Sequence, residues 1–170
     1  MIFQLTTPPP REDISKLLDE GSTSEDVVLS LEIALCLMAA DSRLKEVIFA
    51  PLLEKTGITE GKLSLLMVLR QAGEPLSVVE IAKRIGVSAP TTSTMLRRML
   101  AAQEPLVETK PSAADARSML VSLSPAGRSL LRDILPDHFS RVTALSQSMS
   151  ASKKKKFIEL LRDLVGTAHE

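Results

Sequence analysis

Ile81-Ala-Lys-Arg-Ile-Gly-Val-Ser88, followed at once by Ala89-Pro-Thr-Thr-Ser-Thr-Met-Leu-Arg-Arg-Met-Leu100, is the stretch that decides the fold. Gly86-Val87-Ser88 makes a tight turn between two helices. Ser88 is a side-chain N-cap for the second helix, and Pro90 stands in its first turn, where a missing N–H costs little. That second helix carries hydroxyls at its front and two arginines behind them. Two strand-like segments follow, Leu106–Thr109 and Met119–Leu123, joined by a loop that holds Asp115-Ala-Arg117. A helix, a turn, a second helix and a basic-tipped hairpin are built to place one helix in a DNA major groove with the hairpin beside it. The expected fold is mainly α with a small β-hairpin wing: a winged helix-turn-helix with N- and C-terminal dimerisation helices.

Outward from this stretch the pattern is helical. Ser77, with Glu80 three residues on, reads as a capping box for a helix from Val78 to Ile85. Before it, a helix from Thr59 to about Gln71 turns Leu63, Leu66, Met67 and Leu69 inward, and Gly73-Glu-Pro75-Leu76 is a turn. Ser24 caps a long helix from Val27 to Leu53, with Pro51 kinking its end and Gly57 stopping it. Thr6-Thr-Pro-Pro-Pro10 is a stiff extended leader, and a short helical turn is expected at Ile14–Leu18. After the hairpin, Ser124-Pro125 restarts a helix with an apolar stripe through Leu131, Ile134 or Leu135, His138, Val142, Leu145 and Met149, bent at Pro136. A last helix, from about Ala151 to Val165, is expected to bury Phe157, Leu160, Leu161 and Leu164.

The outer helices exceed what a small winged module needs for its own core. Proteins of this shape read two half-sites by two-fold symmetry, so a homodimer built from both ends is expected. The organisation is then a flexible leader at 1–23, an N-terminal dimerisation helix at 24–57, the winged DNA-binding domain at 58–127 and C-terminal dimerisation helices at 128–170.

Bulk composition agrees with a helical core and excludes several classes. The 170 residues are 44% hydrophobic, but four Phe are the only aromatics, so the core must be aliphatic. One cysteine rules out an intramolecular disulfide framework. No stretch approaches a membrane span and the start has no basic, cleavable leader, so a cytoplasmic protein with no membrane partner is expected. Net charge is zero but divided: residues 1–60 hold 5 Lys/Arg against 11 Asp/Glu, and residues 61–170 hold 16 against 10. Basic charge therefore gathers where the DNA-binding unit and the C-terminal helices are read. No Gly-rich phosphate loop, His-centred triad or metal-ligand spacing is present, so no enzyme, cofactor or metal site is expected.

The candidate DNA contacts are Thr91, Thr92, Ser93 and Thr94 at the front of the second helix, with Arg97 and Arg98 behind them. Hydroxyls and guanidinium groups reach base edges or phosphates, and a threonine methyl can meet thymine. Arg117 at the hairpin tip can enter the minor groove, where the potential is most negative, and Asp115 braces it. Lys83 and Arg84 either clamp the DNA backbone or face solvent. Lys153–Lys156 reads as a solvated face at a helix start. Cys36 reads as a buried, inert thiol and His138 as a core histidine.

These residues resemble the MarR family of bacterial transcription regulators over about residues 25–165. The most specific part is the wing motif Asp-x-Arg … Val-x-Leu-Thr-x-x-Gly, met here as Asp115-Ala-Arg117 … Val121-Ser-Leu123-Ser124-Pro-Ala-Gly127. Ile81-Ala82-x-x-Ile85-x-Val87-Ser88 and Thr91-x-Ser93 match as well. The chain departs from the family where Gln103-Glu-Pro105 replaces a glycine and Glu108-Thr109 stand near a usual basic position, with Lys110 as the substitute cation. The resemblance implies a sequence-specific repressor that binds double-stranded operator DNA as a homodimer. It also implies a small-molecule or redox-sensing site between the dimer arms and the DNA lobes. The reading from another class is a winged-helix protein–protein interaction module with weak or no DNA binding.

Overall fold

Serine side chains start most of the helices in this chain. Ser24 Oγ accepts from Val27 N–H at the head of α2 (Glu25–Leu44), and Ser77 does the same for Glu80 at α5 (Val78–Ile85). Ser88 caps α6 (Ala89–Leu100), Ser124 caps α7 (Pro125–Leu145) and Ser150 caps α8 (Ala151–Val165). Each such cap satisfies an otherwise orphaned backbone donor and stabilises its helix by ~1 kcal/mol. The box at Ser77 is only half closed, because the Glu80 carboxylate accepts from Arg84 at 2.8 Å. A guanidinium one turn ahead is a stronger donor than a backbone amide one turn behind.

The chain is described from a computed structural model over residues 7–16, 24–112 and 119–166, and it forms two compact units, 1–59 and 60–170. In the first, α1 (Arg11–Lys16) packs on α2 and is tied to it by Arg11 and Glu32 at 2.7 Å. The expected single helix to Leu53 is interrupted: a π-helical turn, Lys45–Phe49, separates α2 from α3 (Ala50–Thr56). Pro51 stands next in line and has no N–H to donate, so the regular i→i−4 ladder cannot run through it. Gly57, at φ 67°, ends α3 as read.

In the second unit, α4 (Glu60–Ala72) and α5 pack together, and α5 in turn packs on α6. Leu63, Leu65, Leu66 and Leu69 of α4, Ile81 of α5, and Leu96 and Met99 of α6 are buried. Leu65 joins the expected inward set and Met67 is only half-buried. The sheet has three strands in the order β1-β3-β2, all antiparallel: β1 (Leu76–Ser77), β2 (Val107–Pro111) and β3 (Met119–Leu123). The expected hairpin is the β2–β3 pair, with Val107 opposite Leu123 and Pro111 opposite Met119. Two-residue β1, which the sequence reading placed in a turn, is too short to show an alternating pattern.

The corner where β3 enters α7 gives the wing motif its physical reason. Ser124 N–H donates to the Leu106 carbonyl at 3.1 Å, and its Oγ donates to the Pro105 carbonyl at 2.6 Å while accepting from Gly127 N–H at 3.0 Å. A Cβ on Gly127 would stand 2.1 Å from the Leu106 carbonyl oxygen, so only glycine fits. The helix α7 then runs unbroken through Pro136, burying Leu131, Ile134 and Leu135. Beyond them the stripe emerges: Val142 and Leu145 are exposed. The expected burial along α8 is not found. Phe157 is 50%, Leu160 53% and Leu164 54% exposed, because nothing among the described residues covers them.

Candidate nucleic-acid interface

Helix α6 is anchored on one face and open on the other. Thr92, Leu96 and Met99 recur at helical spacing and are buried, which leaves Thr91, Ser93, Arg97 and Arg98 exposed and Thr94 half-buried. Thr92 therefore leaves the set of DNA contacts. It is fully buried and its hydroxyl donates to the Ser88 carbonyl at 3.1 Å, so it fastens the helix instead. A run of hydroxyl residues shows polarity but not which of them the helical phase turns inward.

The remaining hydroxyls are held differently. Thr91 and Ser88 share a hydrogen bond of 2.8 Å between their side-chain oxygens. Thr94 donates to the Pro90 carbonyl at 3.0 Å and accepts from Arg97 at 3.4 Å. The side chains of Ser93 and Arg98 have no hydrogen-bonding partner among the described residues, and neither does that of Lys110, exposed on β2. Of the two cations on α5, Arg84 is paired with Glu80 while Lys83 is unpaired among the described residues. The Arg84 hydrogen bond holds the Glu80 carboxyl below its ordinary range. Arg117 and Asp115 lie outside the described residues.

Beside α6, Glu108 on β2 accepts from Ser122 across the hairpin at 3.2 Å, so its negative charge is engaged within the sheet. A cation that sequence reasoning did not single out is Arg128. It donates to the Leu123 carbonyl and ties the end of β3 to the first turn of α7. Its position directly after Gly127 was the available signal. Cys36 is exposed rather than buried, because α2 turns most of its apolar length outward. His138 is partly buried, and that burial lowers its pKa against the opposing pull of Asp137. Among the described residues no group of acidic, His and Cys side chains could hold a metal ion, and no helix is long and apolar enough to cross a membrane.

A capped helix pair with a hydroxyl- and arginine-bearing outer face, backed by a three-stranded wing, defines the winged helix-turn-helix class of protein. The MarR family profile matches residues 56–118. The organic hydroperoxide resistance transcriptional regulator of Bacillus subtilis is 32% identical over 143 residues, covering 84% of this chain and 94% of the relative. The HTH-type transcriptional repressor YetL of Bacillus subtilis is 33% identical over 109 residues, a match that spans 64% of each chain. In fold, the chain is similar to a Staphylococcus aureus MepR–DNA complex, with a TM-score of 0.66 at 19% identity, covering 86% of this chain and 100% of that one. The chain belongs to the MarR family of transcriptional regulators and is not an enzyme.

Proposed function

We propose that the protein is a repressor that binds a pseudo-palindromic DNA operator as a homodimer in the cytoplasm. The observation that carries this reading is the outer face of α6, where Thr91, Ser93, Arg97 and Arg98 stand exposed on a helix fixed from behind by Thr92, Leu96 and Met99. Thr94 is a further contact from the edge of that face. Lys110 supplies a phosphate contact from the wing, and Arg117 the minor-groove contact. Residues 58–127 are the DNA-binding domain, and the leader before residue 24 is not flexible throughout, because α1 packs on α2.

Residues 24–57 and 128–170 hold the two copies together. Their support is the apolar surface that the single chain leaves open on α2, the end of α7 and α8. Two recognition helices must then match half-sites about one DNA turn apart. A small-molecule effector that changes their separation releases the operator, since any ligand favouring one spacing draws the population to it.

The test is a fluorescence-anisotropy titration of the full chain against DNA upstream of its own gene, at two salt concentrations, with random DNA as competitor. Binding that survives competitor and weakens steeply with salt is expected, because each phosphate contact releases a counterion. Arg98→Ala should weaken specific binding by roughly 1–3 kcal/mol if it reads a base edge. Equal affinity for all DNA, or none for any, would favour the interaction-module reading instead.

A further inference from the structure

Residues 138–158 hold five Lys/Arg and no Asp/Glu, and four of the five stand in one run, Lys153–Lys156. The run lies in the first two turns of α8, ahead of Phe157, where the exposed apolar face of that helix begins. Lys153, Lys155 and Lys156 are exposed and Lys154 is half-buried. Lys156 pairs with Glu159 at 3.0 Å, while the other three have no carboxylate partner among the described residues. Helix stability does not account for the run. Neighbouring like charges repel, and the first turns of a helix are where its dipole disfavours cations. Ser148 and Ser152 place exposed hydroxyl residues beside the lysines. The run is also remote from the wing. Leu100 at the end of α6 and Pro125 at the start of α7 line one groove, and the lysines follow the other end of α7. The 21 residues of α7 span about 30 Å at 1.5 Å per residue.

We propose that Lys153–Lys156 is a second nucleic-acid contact, which binds a DNA phosphate backbone without regard to sequence. Ammonium groups on long stems are mobile point charges, suited to a row of phosphates rather than to one base edge. The serine hydroxyls add neutral donors to the same oxygens. Each phosphate that a lysine neutralises releases a counterion, which offsets the repulsion within the run. The length of α7 sets this contact apart from the duplex that α6 reads, so it serves another segment of DNA. A lipid surface would also attract lysines, but it would need the adjoining apolar face, which the pairing of two copies covers. The standing of the run as a second contact rests on the operator reading of α6, while the contact itself does not.

The experiment follows the fluorescence anisotropy of a labelled random-sequence duplex titrated with the full chain. Arg97→Ala/Arg98→Ala first removes the guanidinium groups of α6. This variant should still bind the duplex, and its log affinity should fall against log salt with a slope of roughly −3, about one for each lysine–phosphate contact. Adding Lys153→Gln/Lys154→Gln/Lys155→Gln should lower its affinity at low salt by about tenfold or more. Glutamine has nearly the helix propensity of lysine, so the helical signal should be unchanged. Equal affinity with and without the three lysines would overturn the proposal. Binding to phosphatidylserine vesicles but not to the duplex would overturn it too, and would assign the run to an anionic lipid surface. Should the operator reading fail, the α6 variant would bind DNA as the natural chain does, and the effect of the lysines would still be measured.

Discussion

The apolar residues of α4 and those of α8 have opposite fates, although both helices show the same amphipathic spacing. On α4, Leu63, Leu65, Leu66 and Leu69 are all buried. On α8 no residue is buried, and Phe157, Ile158, Leu160, Leu164 and Val165 are each at least 49% exposed. The α2 helix resembles α8: of its twenty residues only Ala39 is buried. The winged unit closes its own core within one chain, while the outer helices carry apolar faces that the described residues leave open. Contiguous exposed apolar surface of this kind marks an interaction site rather than ordinary surface. The difference separates what holds the reader together from what is proposed to pair two readers.

The largest expected effect lies in the closed core. Leu66→Ala removes a fully buried side chain and should lower stability by about 2–5 kcal/mol in chemical denaturation, the range for leucine-to-alanine cavities. A loss under ~0.5 kcal/mol, typical of surface positions, would erase the distinction between the two helices. Gly127→Ala sharpens the same contrast by overpacking. Its added methyl would meet the Leu106 carbonyl oxygen, and the cost should reach or exceed ~3 kcal/mol, the upper part of the usual range.

A smaller effect is expected where the α7 stripe emerges from the core. Burial depresses the folded-state pKa of His138 below its ordinary value of 6.5, so the unfolded chain binds the proton more readily. This contribution to stability is present above that ordinary value and is lost as pH falls through the lowered, folded-state one. Denaturation midpoints measured across mildly acidic pH should therefore fall less steeply for His138→Gln than for the natural chain. Identical pH profiles would show that His138 is as open to water in the folded state as in the unfolded one.

Features that depend on a few adjacent residues were legible in the sequence. Ser77, Ser88 and Ser124 cap the helices they were expected to cap, and Gly57 and Gly86 end theirs in the left-handed region. The wing strands were legible for the same reason. Features that depend on what covers a side chain were not. Periodicity shows that Phe157, Leu160 and Leu164 share a face, but not whether the chain supplies a surface for it. The front of α6 carries four hydroxyl residues in a row, and only packing shows that Thr92 turns inward. The run at Lys153–Lys156 is plain in the sequence, but which of its members have a carboxylate partner shows only in the folded chain.

Sedimentation equilibrium of the natural chain and of Leu160→Asp tests the division between closed core and open arms most directly. The natural chain should sediment at twice the mass of one chain, and Leu160→Asp, its helical signal retained, should fall toward the mass of one. A natural chain that sediments as a monomer at all concentrations, or a Leu160→Asp variant as firmly paired as its parent, would contradict the assignment of these apolar faces to a second copy.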